Sequence, residues 1–178
     1  ITESFNTADS DTLGPDLAWT ETGGDIDIVS NKAKVAGTEA DSTVEARANS
    51  ALSSDDMYAK ADVESLVDST ARTGVAVRFN SSARTYYVGS YRDNTTASWQ
   101  IAKMVAGTVT SLTTGDEAVA PGDGPITLKF YADASVLTLL ADGVDKIVVN
   151  DTSITGNLRA GISGPESQVA SRVRWDNF

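Results

Sequence analysis

Hydrophobic and polar positions alternate along most of this chain of 178 residues. In DIDIVSNKAKVAG, Ile26 and Ile28 recur at period two, Ser30-Asn31 interrupts them, and the alternation resumes at Ala33 and Val35. That is the pattern of a β-hairpin. GVAVRF sets Val75, Val77 and Phe79 against Gly74, Ala76 and Arg78, and ITLKFYAD sets Ile126, Leu128 and Phe130 on one face. In VLTLLADGVDKIVVN the Asp142-Gly143 pair separates two β-rich runs, and both residues tolerate positive φ. Runs of this kind predict strands near 26–29, 32–37, 43–48, 57–66, 73–79, 85–92, 98–105, 108–112, 126–132, 136–141, 145–149, 158–163 and 170–177. Gly, Asn, Asp, Ser and Pro gather between them. Nothing sustains a 3.6-residue period, and ANSALSSDDM has room for one helical turn at most. So many short strands without a repeat or linker predict one all-β domain over 1–178, an antiparallel sandwich of two sheets.

Composition narrows the chemistry more than the fold. There is neither Cys nor His, which removes disulfides, thiolate and imidazole metal sites, and nucleophilic systems built on His. The net charge of −11 and pI near 4.3 oppose nucleic acid and anionic membrane surfaces as partners. No run approaches the roughly 18 apolar residues of a bilayer-spanning helix, so no membrane insertion is expected. The opening ITESFNTADS has neither an initiator Met nor a signal-peptide pattern, which predicts a processed start at Ile1.

The order of the motifs resembles the concanavalin A-like lectin/glucanase superfamily, whose fold is a jelly roll of two curved sheets. The resemblance runs through ESF, a Leu-Gly loop with Trp19, the GGDIDIVSNKAKVAG hairpin, ARTGVAVRF, LTLLADGVDKIVV, GNLRAGISG and the terminal VRWDNF. The resemblance does not fix a function, because the superfamily mixes lectins, glycosidases, adhesion modules and virion proteins, so the site has to be argued separately. Its glucanases carry Glu-x-Asp-x-(x)-Glu on one strand, two Glu flanking the scissile bond. Here TEADSTVEA offers Glu39, Asp41 and Glu45 at the wrong spacing and on an early strand, and KADVESLVDS offers Asp62 and Glu64 with Asp68 in a turn. Both read as solvated strand carboxylates, and no catalytic residue is assigned. GDGP at 122–125 lacks the Lys and helix of a phosphate loop.

Two further expectations concern a metal and a ligand. The resemblance implies a structural calcium held by Gly37 after the early hairpin, by Asp176 on the last strand, and by an N-terminal group among Asn6, Asp9 and Asp11. The most aromatic stretch, ARTYYVGSYRDNTTASWQIAK, suggests a ligand-binding face of Tyr87 and Tyr91 with Arg78, flanked by Arg92 and Trp99. Sugars suit such a surface, because their C–H faces pack on rings while hydroxyls meet polar groups. In the resemblance the last strand lies beside the first, bringing Phe178 to Phe5. The resulting expectation is a non-catalytic module with a glycan-binding, adhesive or scaffold role, outside the cell, on a cell surface or virion. Its partner would be a polysaccharide or a neighbouring virion or surface protein, with homo-oligomer assembly open. The alternative is a glycoside hydrolase or lyase using carboxylates on the concave sheet.

Overall fold

A computed structural model of the chain describes residues 2–5, 8–10, 13–14, 16–35, 44–65, 73–80, 82–92, 97–117, 125–164 and 173–178. The strands are β1 (Trp19–Thr22), β2 (Ile26–Ile28), β3 (Ala33–Val35), β4 (Glu45–Ala48), β5 (Met57–Ser65), β6 (Thr73–Phe79) and β7 (Tyr86–Arg92). They continue with β8 (Ala97–Val105), β9 (Thr108–Glu117), β10 (Ile126–Asp133), β11 (Val136–Ala141), β12 (Val144–Asn150), β13 (Arg159–Ser163) and β14 (Val173–Asp176). All pairings are antiparallel. They form a front sheet, β1-β4-β13-β6-β7-β8-β9, and a back sheet, β12-β11-β10-β5-β14-β3-β2. This is the expected jelly-roll sandwich. Among the described residues no helix is long and apolar enough to cross a membrane.

The hairpin signals act through backbone conformation. Ser30 and Asn31 have φ of 55° and 62°, and Asp142 and Gly143 have 50° and 80°. Positive φ at both central residues matches the right-handed twist of the flanking strands. Ala106-Gly107 does the same between β8 and β9, although Ala106 carries no turn signal of its own. β1 escaped the strand prediction because all four of its residues are half-buried and show no alternation. The segment with room for one helical turn holds none: residues 49–56 are bends and irregular chain leading into β5.

The core between the sheets is filled by Ile26, Ile28, Val75, Val77, Tyr87, Ile101, Leu128, Phe130, Leu137, Leu139, Ile162 and Trp175. Phe79 does not join it. Opposite two residues of β13, Arg159 and Gly161, β6 spans from Phe79 to Ala76, so Arg78 (φ 50°) is an extra residue in the ladder. Such a bulge reverses the facing of the residues beyond it. Phe79 therefore packs on the outer side with Ala76, Tyr86 and Met104.

The last strand lies between β3 and β5, whereas the ESF segment expected beside it forms no strand and meets only the chain end. Trp175 is the core-facing aromatic, and its Nε1–H donates across the sandwich to the Gly74 carbonyl at 3.1 Å. Asn177 (φ 52°) then ends the alternation. Phe178 meets Trp19 edge-on at 5.1 Å, and Trp19 lies 6.0 Å from Phe5. The Glu3 N–H donates to the Phe178 carbonyl at 2.6 Å. The two chain ends thus meet through Trp19 and one backbone bond.

Candidate functional site

The proposed aromatic face points the other way. Tyr87, Tyr91 and Trp99 are buried between the sheets, with Tyr91 and Trp99 rings 4.7 Å apart. Gly89 between the two tyrosines explains the choice of side. A Cβ there would come within 2.8 Å of Phe130 and Leu139 of the back sheet, so the two sheets approach closely here. Arg78, expected to share that surface, is only 1% exposed. Its bulged backbone aims the guanidinium into the loops at one end of the sandwich. There it donates to the carbonyls of Asp55 (2.9 Å), Ile154 (3.2 Å) and Ala134 (2.8 Å). The Arg92 side chain lies outside the described residues.

Of the calcium candidates, Gly37 and Asp11 lie outside the described residues. Asp9 accepts the Ser30 N–H at 2.8 Å and Asp176 accepts the Asn177 N–H at 2.9 Å. Among the described residues no three acidic groups gather as a ligand set. Glu39, Asp41 and Asp68 likewise lie outside the described residues. Asp62 sits on the outer face of the back sheet, accepting from Thr127 Oγ1 (2.6 Å) and Asn177 Nδ2 (2.9 Å).

Glu45 departs most from expectation: it is fully buried rather than solvated. Strand alternation puts it on the outer face of the front sheet, in a row with Ser163, Gly74, Ser90 and Gln100. Arg84 grips it with Nε at 2.9 and 3.1 Å and Nη2 at 2.6 Å, and the Tyr86 hydroxyl donates to it at 2.6 Å. Burial and then the Glu45 charge push the Tyr86 phenol far above its ordinary value, although Ser163 also bonds to it. Tyr86 stacks on Phe79 at 4.3 Å. Both rings lie over a floor of small residues. A Cβ at Gly161 would collide with the Ala46 carbonyl and press on Phe79.

Beside this centre, Arg47 and Arg159 both bind Asn49, through Arg47 Nη1 to Oδ1 at 2.8 Å and Arg159 Nε to the carbonyl at 3.1 Å. Burial, and secondarily Arg159, lowers the proton affinity of Arg47. Neither forms an ion pair among the described residues. Ser90, Ser98, Ser163, Ala102 and Met104 of the same face are all nearly inaccessible, whereas Arg47, Arg159 and Gln100 are half-buried. The site thus combines a fixed carboxylate, arginine donors, hydroxyls and an aromatic pair.

A second polar cluster has a mechanical role. Asp151 accepts from Tyr87 Oη at 2.5 Å, from Lys103 Nζ at 2.9 Å and from Ser153. Burial disfavours the Asp151 charge, but the bonds from Ser153, Tyr87 and Lys103 outweigh it and hold the carboxyl well below the usual range. Lys103 also reaches Ser153 Oγ at 2.9 Å. Because the ammonium is ion-paired to Asp151, the arrangement anchors the β12–β13 loop rather than activating Ser153 as a nucleophile.

No family model matches the chain, and no curated protein matches its sequence. Solved structures match its fold. The carbohydrate-binding module CBM66 from Bacillus subtilis aligns with a TM-score of 0.69 at 12% identity, over 91% of this chain and 93% of that one. A Bacillus licheniformis β-glucanase aligns with 0.64 at 8% identity, over 99% and 94%. The Emp46p carbohydrate recognition domain in its potassium-bound form aligns with 0.56 at 12% identity, over 89% and 85%. The fold is therefore that of the concanavalin A-like jelly rolls.

Proposed function

We propose that this chain is a glycan-binding domain, displayed on a cell surface or virion, that holds its ligand on the outer face of the front sheet. The observation that carries this reading is the preorganised polar centre of Glu45, Arg84 and Tyr86, with Arg47, Arg159 and Gln100 accessible around it. A sheet face with no ligand to meet has no need of a buried carboxylate, whose desolvation is costly even when it is paired. The half-buried Arg47, Arg159 and Gln100 beside that centre supply donors and acceptors for sugar hydroxyls, and the likeness to a carbohydrate-binding module and a recognition domain supports that use of the fold.

Binding fits better than hydrolysis. Glycosidases place two carboxyl groups on either side of the scissile bond. On this face Glu45 is the one carboxylate whose side chain is described, and Arg84 and Tyr86 already engage it.

The test is retention on a panel of neutral polysaccharides, comparing the parent with Arg47→Ala/Gln100→Ala. Both side chains are only half-buried, so the fold should survive. The double variant should lose about ten-fold in affinity, the worth of one or two net hydrogen bonds. A parent that binds nothing on the panel, or a variant that binds as the parent does, overturns the reading.

A further inference from the structure

The outer face of the back sheet carries an arrangement that folding alone does not explain. On β5 and β10, Tyr58 stands directly opposite Tyr131, and Lys60 directly opposite Lys129. Like charges facing each other across a strand pair are destabilising. This chain has 14 basic against 25 acidic residues, yet neither lysine has an ion pair among the described residues. Tyr58 is 54% exposed, which forgoes most of the gain from burying its ring. The Tyr58 and Tyr131 ring centroids are 5.6 Å apart, and Lys129 Nζ sits 4.2 Å from one and 4.5 Å from the other. The rings therefore hold that ammonium at the surface. Tyr58 and Lys60 also line a cleft of about 370 Å³ beside β5, together with Met57, Ala59, Ser54 and Asn177 and with Ala48 and Ala160 of the front sheet.

We propose that this face is a second binding site, for an acidic sugar within a polysaccharide. The carboxylate or sulfate lies between Lys60 and Lys129, the C–H face of the ring packs on Tyr58, and hydroxyls reach Ser54 and Asn177. The cleft supplies the concave, mixed apolar and polar surface that such ligands need. The lysines supply the charge that selects an anionic ring over a neutral one. The carboxylates nearest the site already have partners, Asp62 with Thr127 and Asn177 and Asp56 with the Ala134 N–H and Arg78. At physiological salt the repulsion from those farther away is screened beyond roughly 8 Å, whereas a bound anion touches the lysines directly. The site extends the glycan-binding reading to the opposite face and uses none of the same residues.

The experiment measures binding of the full chain to polygalacturonate, dextran sulfate and dextran at about 150 mM salt, the regime of that screening length. Three variants accompany the parent: Lys60→Gln/Lys129→Gln, Tyr58→Ala, and the front-face Arg47→Ala/Gln100→Ala. The parent should bind one or both acidic polymers and leave dextran unbound; the two arms tell a uronate from a sulfate ester. The lysine variant should lose affinity by about 30-fold and Tyr58→Ala by about ten-fold, from the lost charged contacts and ring stacking. The front-face variant should bind acidic polymer as the parent does. No binding to either acidic polymer overturns the proposal, as does parent-like binding by the lysine variant. A loss caused only by the front-face variant moves the acidic ligand there and removes the second site while sparing the first. Binding that depends on the lysines but not on Tyr58 reduces the effect to charge and overturns the sugar assignment.

Discussion

Arg78 provides the sharpest test of how the sandwich is held at one end. Its guanidinium is buried and donates to three carbonyls in three loops: Asp55 before β5, Ala134 between β10 and β11, and Ile154 between β12 and β13. Asp56 adds an ion pair at 3.5 Å. A hydrogen bond from a charged donor contributes about 1.5–3 kcal/mol, and the cost of burying the charge offsets part of the sum. Arg78→Ala removes all three bonds and leaves a void, so it should cost about 3–5 kcal/mol. For a domain of this size that is a fall of roughly 10 °C in Tm. Arg78→Lys keeps a charge, but a compact ammonium does not span three divergent carbonyls, and about 2 kcal/mol should be lost. Arg78→Gly separates backbone from side chain. It relieves a left-handed residue worth about 1 kcal/mol and should be that much less damaging than Ala. Urea denaturation followed by the fluorescence of buried Trp99 and Trp175 reads all three, with the m-value unchanged. An alanine variant within about 1 kcal/mol of the parent would refute the clamp.

Two further predictions concern charge. The Glu21 carboxyl is pushed up from 4.5 to about 7 by burial and by neighbouring Asp25 and Asp27, although the Ile26 N–H opposes the shift. The folded state therefore holds that proton more tightly than the unfolded chain. Its contribution is complete below about pH 4.5 and drains away as pH rises through 7. The parent should lose about 1–2 kcal/mol, after solvent screening, between pH 5 and 8 relative to Glu21→Gln; parallel stability curves would contradict this. We also propose the calcium expected at Gly37, Asp176 and Asp9 or Asp11, where it would bind only the folded chain. Chelator should lower the Tm of a calcium-loaded sample by several degrees and leave Asp176→Ala unmoved, and an unchanged parent melt would remove the ion.

The architecture was legible because its signals are local. Turn pairs such as Asp142-Gly143 have to adopt positive φ, and alternation in β10 has to bury Leu128 and Phe130. The candidate site was less legible, because period two fixes which residues share a face but not which face turns inward. In β7 the partition into Tyr87, Gly89, Tyr91 and Tyr86, Val88, Ser90 was right, and the side assigned to each was reversed. Both sets carry aromatic side chains because the front sheet has packing on both sides: the main core within, and the Phe79–Tyr86 pair without. What decides the matter is a non-local fact, the approach of Phe130 and Leu139 to Gly89. A glycine flanked by large residues in a strand is the one trace of it in the sequence, since such a position marks close contact with another backbone or sheet.

The same reasoning accounts for Glu45 and for the back-face lysines. An acidic residue near the start of a strand looks solvated until a partner is known. Arg84 lies 39 positions away, and only the crossing of β4 and β7 through β13 and β6 brings it to Glu45. Lys60 and Lys129 are ordinary strand residues in sequence, and their opposition exists only in the register of β5 against β10. In a sandwich, parity comes from neighbours along the chain, whereas charge pairing comes from neighbours across it. Residues brought together across strands at a cost in stability are therefore where function is best sought in this fold. Glu45 with Arg84 and Lys60 with Lys129 are two such pairs, on opposite faces.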